Sequence, residues 1–411
     1  MTGNVQKRNG AWRVVLELGE QAALRCPTCR RRYWSDDDQA RTCDAAHGEL
    51  EEVVARRQEM LPAKYETKKD AQRALRKALD ERERGDYVPA IDLTVAEYLK
   101  TRWLPSLDAE ELSEATPEAY RMHVGRIVPL VGKIPLQELT RNDVAVMAAR
   151  MAKEKSSKTG RPLSPATRSG ALGVLQHALD DALESGLLRS NPAAKVKKPK
   201  VRRPELHTWS GAELATFLQA TRQDRLGPLW HLLALTGMRR GEALGLRWSD
   251  VDFEHGRLEL QRQRKIVRYA VLEGALKTGP RAVALDAETV DALRRQSQQQ
   301  LDDAAAWKTG WVGEGHVFTR EDGEPWHPDR VRVLFQEAIK AAKAPRIRMH
   351  DLRHTWATLA LRAGVHPKVV QERLGHANIR ITMDTYSHCL PDMQESAAEL
   401  VASVVVAALA K

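Results

Sequence analysis

Tyr386 lies near the end of the stretch LGHANIRITMDTYSH, ten positions after His376. Arg239 sits in TGMRRGEALGLRW with Glu242 three residues on, and Lys277 sits in ALKTGPRAVAL, at a tight turn expected between two strands. His350 and Arg353 stand three apart in MHDLRHTWATLALRAG, a spacing that places both on one face of a helix. Singly, each residue has an ordinary role. Arg239 pairs with Glu242, Lys277 is a solvated turn lysine, His350 and Arg353 lie on the surface, and Tyr386 is a core ring with its hydroxyl tied off. Taken together they open a second reading of Tyr386, as a nucleophile among guanidinium, imidazole and ammonium groups. A second set, Cys26, Cys29, Cys43 and His47, is spaced C-x2-C-x13-C-x3-H. Thiolates and an imidazole at this spacing suit a tetrahedral zinc ion, the first pair forming a knuckle turn and the second closing the site. The segment RRRYWSDDDQARTCDAAHG has so few apolar residues that a structural metal is what would fold it.

These residues need more than one domain to carry them. A chain of 411 residues is too long for one ordinary core. Residues 1–90 read as a small strand-rich domain. AWRVVLELG alternates as a strand, EVVARRQEMLPAKY supplies a second strand pair, and TKKDAQRALRKALDERERG is a helix with Thr67 as N-cap and Gly85 past its end. The cysteine segment, about 20–50, reads as an insertion between those strands. Residues 91–194 carry apolar side chains at helical spacing, with Thr94, Ser113, Thr140 and Ser164 as caps, and predict an all-helical domain. At 195–203 lysines and arginines crowd around prolines, the composition of an extended linker that packs into no core and could run along phosphates. Residues 204–411 read as a mixed, mostly helical domain with a strand-rich middle from Leu258 to Leu285. The expected fold class is therefore multidomain and mainly α, with a small antiparallel sheet in the last domain.

Charge and cysteine usage narrow the partners. Against 55 acidic residues stand 65 Lys and Arg, a formal charge of +10 that favours a polyanion, nucleic acid before membrane surface. No stretch approaches the roughly 20 apolar residues that span a bilayer, and the N-terminus lacks the apolar core of a signal peptide. A cytoplasmic protein is expected, with no membrane partner. Four cysteines, three of them clustered, make no disulfide framework.

In this order, Arg239 in its TG-hydrophobic-R…E segment, Lys277 in KTG, His350 and Arg353 as H-x-x-R, His376 in LGH, and Tyr386, the set resembles the active site of a tyrosine recombinase of the phage integrase family. All six positions are filled, with no departure in residue type. The resemblance covers the whole last domain and, more loosely, the helical domain and the linker. It implies a helical core-binding (SAM-like) domain at 91–194, a catalytic domain at 204–411 and, more weakly, an arm-type DNA-binding domain at 1–90. The zinc-type insertion is a departure from the family's usual pattern.

What the resemblance implies chemically follows from the side chains. A phosphodiester gains negative charge on its way through a five-coordinate transition state, which Arg239 and Arg353 would stabilise bidentately. His350 is the expected general base for Tyr386, and His376 would hydrogen-bond the phosphate or assist proton transfer. Lys277, by analogy, would protonate the departing 5′-oxygen. The 3′-phosphotyrosyl link keeps the energy of the broken bond, so another strand's 5′-hydroxyl can reverse the step without ATP. No cofactor is expected for catalysis, and zinc only in a structural role. Expected partners are double-stranded DNA at attachment sites, three further copies in a homotetramer, and accessory excision or host DNA-bending factors. The C-terminal stretch ESAAELVASVVVAALAK predicts a short apolar-faced helix that packs either on its own domain or on a neighbouring protomer. Two other readings share parts of this pattern: a type IB topoisomerase or telomere-resolving enzyme using the same chemistry, and a non-catalytic DNA-binding protein on the same scaffold, against which the intact set speaks.

Overall fold

The computed structural model describes residues 2–34, 50–61, 63–84, 87–107, 115–156, 160–201, 206–386 and 393–409. The expected cap Ser113, the helix-end Gly85 and the ligands Cys43 and His47 lie outside the described residues. The chain divides into two units, Met1–Arg202 and Arg203–Lys411. The architecture is multidomain and mainly α, with small antiparallel sheets.

In the first unit, β1 (Gly3–Arg8), β2 (Ala11–Arg25), β3 (Arg32–Trp34) and β4 (Glu51–Met60) form one antiparallel sheet. β4 follows one edge of β2 from Val15 to Arg25, and β1 and β3 share the other edge end to end. The expected second strand pair is thus a single strand, β4. β2 runs on to Arg25 through a bulge between Glu17 and Gly19, because a full-length partner satisfies its ladder. Helix Lys68–Glu83, capped by Thr67 accepting from the Asp70 amide, buries Ala71 and Ala78 beside Val14 and Leu16 of the sheet.

The helical part of this unit starts at Thr94, whose hydroxyl and Glu97 make a reciprocal capping box. Helices Ala115–Val131, Arg141–Met151 and Pro165–Glu184 follow, the second and third capped by Thr140 and Ser164. Their core gathers Trp103, Ile127, Leu136 and Leu175, and two of its polar atoms find partners there: Tyr98 Oη donates to Ala178 O at 2.8 Å and Trp103 Nε1 to Asp181 Oδ2 at 2.6 Å. Arg189 forks onto Glu81 of the Lys68–Glu83 helix, which ties the two parts of the unit together. The start of the expected linker is not free of the core. Val196, apolar among lysines, packs against it, and Arg141 Nη2 donates to Lys195 O at 3.2 Å.

The second unit is built on a core of Trp209, Phe217, Trp230 and Phe335, with Trp230 and Phe335 ring centroids 5.3 Å apart. Its strands make two antiparallel sheets: β5 (Val251–Asp252), β6 (Arg257–Leu260) and β9 (Arg281–Ala284) form one, and β7 (Arg262–Val267) and β8 (Ala270–Ala275) form a separate hairpin. The hairpin's two-residue turn puts Arg268 and Tyr269 at positive φ, 47° and 74°, the conformation that matches strand twist. β8 and β9 lie in different sheets, so the Lys277 turn links two sheets instead of closing a hairpin. Helix Met393–Leu409 ends the described chain with Val401, Val405, Val406 and Leu409 exposed.

Candidate active site

The scaffold of the site is set by two glycines in left-handed conformation. Gly237, at φ 68°, ends helix Gly227–Thr236, and a Cβ there would stand 2.9 Å from Leu374 Cδ2 and 3.0 Å from Trp356. Gly375, at φ 63°, ends helix Pro367–Leu374, where a Cβ would meet the Arg281 guanidinium at 2.9 Å. An L side chain is both strained and crowded at these positions. The two turns aim three carbonyls at arginines. Arg353, only 2% exposed, donates through Nη1 to Gly237 O at 2.8 Å and through Nη2 to Leu374 O at 2.6 Å. Arg239 Nη2 donates to Gly375 O at 3.1 Å.

One buried carboxylate holds the arginines in register. Glu242, 1% exposed, accepts from the Arg239 amide at 2.9 Å and from Arg239 Nη1 at 2.8 Å. Arg281 of β9 forks onto the same carboxylate at 3.1 and 2.7 Å. Burial alone would raise the Glu242 carboxyl above the usual range, but the hydrogen bonds and charges of Arg281 and Arg239 hold it below. The expected ion pair between Arg239 and Glu242 is therefore present, as a buried support and not a surface ornament.

Helix Met349–Arg362 presents His350, Arg353 and His354 on one face, its first turn fixed by Asp351 pairing with Arg348. Against it packs helix Ile379–Tyr386, and Tyr386 lies in a small core with Ala357, Leu361, Val370 and Leu374. The tyrosine is 1% exposed, and its hydroxyl lies 2.8 Å from Nδ1 of His354. His350 packs edge-on to His354, with ring centroids 5.0 Å apart. His376, just past Gly375, places Nδ1 at 2.9 Å from Thr382 Oγ1 on the tyrosine helix. Lys277 is exposed on the turn after β8, and the neighbouring Thr278 Oγ1 donates at 3.2 Å to the same Gly375 carbonyl that holds Arg239.

The electrostatics are those of a crowded positive cluster. Burial first, then His354 and Arg353, push the His350 imidazole down to about 4. As a residue, His350 also reaches solvent. His376 is pushed to about 4 as well, by burial and then by Arg353 and Arg239. Burial and the nearby Arg239 lower Arg353 to about 9, which still leaves it charged at neutral pH. Cations crowded this way, with the buried carboxylates Glu242 and Asp351 among them, are stabilised by an arriving anion.

The structure thus gathers Arg239, Arg353, His350, His376 and Tyr386 and leaves Lys277 on the adjoining exposed turn. It adds residues that sequence reading passed over: His354, Arg281 and Thr382. His354 carries a legible signal, since it falls four residues after His350 on the same helix face. At the other end of the chain, Cys26 is buried, and Cys29 N donates to Cys26 Sγ at 3.4 Å. Arg30 N donates to Cys26 O at 2.9 Å with Arg30 at φ 57°, so the Cys-Pro-Thr-Cys segment folds as a tight turn around a thiol. Among the described residues no group of three or more His, Cys, Asp or Glu side chains is placed to hold a metal ion. Among them too, no helix is long and apolar enough to cross a membrane.

Several known proteins resemble this chain in sequence or in fold. Residues 212–392 match the model of the phage integrase family. A XerC-like tyrosine recombinase of Caldanaerobacter subterraneus is 31% identical over 267 residues, which span 60% of this chain and 66% of that one. The ICEBs1 integrase of Bacillus subtilis is 25% identical over 241 residues, spanning 58% of this chain and 65% of the relative. The chain therefore covers just under two thirds of the length of these two relatives. Among solved structures, the Tn1549 transposon integrase in complex with transposon right end DNA has a TM-score of 0.63 at 21% identity, over 75% of this chain and 100% of that one. A lambda integrase dimer bound to a COC′ core site has a TM-score of 0.53 at 17% identity, over 93% of this chain and 94% of that one. Both likenesses are of fold.

Proposed function

Because the chain belongs to the phage integrase family of tyrosine recombinases, we propose that it cuts and rejoins DNA strands at specific sites through a 3′-phosphotyrosyl link to Tyr386. One observation carries this reading: Arg239 and Arg353 are held by Glu242 and by the Gly237, Leu374 and Gly375 carbonyls, and Arg353 feels the charge of Tyr386, a buried tyrosine whose hydroxyl is already hydrogen-bonded. Such anchoring fixes the guanidiniums before the phosphate arrives, so little reorganisation is needed as charge develops on it. Arg239 and Arg353 hold the non-bridging oxygens, His350 and His376 flank them, and Lys277 protonates the departing 5′-oxygen from its exposed turn. The partner is double-stranded DNA at attachment sites of the element that encodes the chain, in the cytoplasm. The working form is a homotetramer, helped by accessory excision or DNA-bending factors, and the exposed valines of helix Met393–Leu409 are a surface a neighbouring protomer would cover.

The test uses nicked duplexes tiled across the junctions of that element, from which a cleaved short strand diffuses away and traps the intermediate. A protein–DNA adduct that survives denaturation, and is abolished by Tyr386→Phe in a folded protein, is expected. Absence of an adduct on every junction contradicts the reading.

The strand-rich N-terminal part we read as an arm-type DNA-binding domain holding one structural zinc through Cys26, Cys29, Cys43 and His47. Support comes from the turn at Cys26–Cys29, whose amide-to-sulfur hydrogen bond suits a metal-bound thiolate. Zinc there would crosslink a segment with little apolar surface of its own. One zinc per chain by metal analysis, and a loss of both in Cys26→Ser relative to wild type, zinc and N-terminal thermal stability, are expected. Metal-free protein of unchanged stability contradicts it.

A further inference from the structure

We infer that His354 is the group that takes the proton of Tyr386 as the phenol attacks. The inference rests on the proposed strand-cleavage reaction and assigns within it a role that the sequence pattern puts on His350. Its basis is geometric. Nδ1 of His354 is 2.8 Å from Tyr386 Oη, the separation of a working O–H···N hydrogen bond, and the two rings are held at 5.7 Å between centroids by the packing of their helices. Tyr386 is almost wholly buried, so a proton leaving its hydroxyl needs an acceptor inside the protein. His350 sits one helical turn earlier, edge-on to His354 and open to solvent.

The surroundings leave His354 able to accept. Burial lowers its basicity, Asp351 opposes that, and Arg353 and Arg348 lower it further. These charges and His350 lie on its own helix, Tyr386 faces it from the tyrosine helix, and His376 feels it from beyond Gly375. Uncharged at neutral pH, the ring presents Nδ1 as an acceptor when its proton is on Nε2. The step then balances. The Oη–H bond of Tyr386 breaks, its proton passes to Nδ1, and the oxygen's electron pair forms the Oη–P bond. The P–O5′ bond breaks and its oxygen takes a proton from Lys277. His354 ends as an imidazolium, which the phosphate and Asp351 stabilise, and returns the proton to Tyr386 when a 5′-hydroxyl reverses the reaction.

His354→Asn separates chemistry from support, because an asparagine oxygen can stand where Nδ1 stands and accept the same hydrogen bond but is not a base. With the full chain on a nicked junction duplex, adduct formation at neutral pH should slow about 100-fold at unchanged Tm. The variant's rate should climb with pH toward the phenol's own ionisation near about 10, while wild type levels off earlier. In His354→Ala, added imidazole should restore part of the rate, which a purely structural role would not allow. Nitrogen-15 NMR of the histidines in wild-type protein should show His354 protonated on Nε2, a check that needs no variant to fold. A wild-type rate and pH profile in His354→Asn, faster cleavage in either variant, or the opposite tautomer in wild type overturns the assignment. Wild-type protein that forms no adduct removes the proposed function as a whole, whereas an active wild type with an unaffected His354→Asn removes only this role.

Discussion

Arg353 and Lys277 are both cations of the same proposed reaction, yet the protein treats them oppositely. Arg353 is buried, donates to two backbone carbonyls and stands near a carboxylate shared by two further arginines. Lys277 is exposed on a turn whose flanking strands belong to different sheets. The difference follows from what each must do. Charge that develops on a phosphate is best met by groups fixed in advance, whereas a proton donor to a departing oxygen must be able to approach and withdraw. On the proposed roles, the anion-binding half of the site is built into the core, and the acid half is brought to it.

The contrast can be broken most severely at the buried side. Arg353→Lys keeps the charge but cannot reach the Gly237 and Leu374 carbonyls and an incoming phosphate together, so adduct formation should fall about 1,000-fold, measured on the trapping duplex. A loss of less than about tenfold would show that the fork geometry is dispensable. Lys277→Ala should leave Tm unchanged and slow cleavage by about 100-fold. A substrate whose 5′-bridging oxygen is replaced by sulfur should restore the rate, since a thiolate leaves without protonation. Failure of sulfur to rescue would remove Lys277 from the acid role. The smallest effect concerns acid. His350 and His376 lie below the ordinary histidine value of about 6.5, so the unfolded chain binds their protons first. The stability they contribute is fully present above that value and should be lost as pH falls from it toward about 4, seen as a falling urea midpoint. His376→Asn should flatten that dependence, and Lys277→Ala should not.

How much of this was legible in the sequence depended on whether a role belongs to a side chain in a short motif or to a place in the fold. The arginines, the two histidines and Tyr386 could be read because each sits in a local pattern, and the helix caps Thr67, Thr94, Thr140 and Ser164 for the same reason. The partners of the arginines could not be read, because Gly237, Leu374 and Gly375 contribute carbonyls, which every residue has. His354 was hidden by standing beside Arg353, and its meaning arises only when the tyrosine helix folds onto it. The separation of β8 from β9 and the length of β2 depend on pairing with distant strands, which alternation alone does not register.

The account stands most directly on the identity of the atom that becomes joined to DNA. Protease digestion of the trapped adduct followed by mass spectrometry should find the nucleotide attached through phosphate to the peptide containing Tyr386. Attachment to any other residue, the exposed Tyr269 included, or a complex held without a covalent bond, would contradict it.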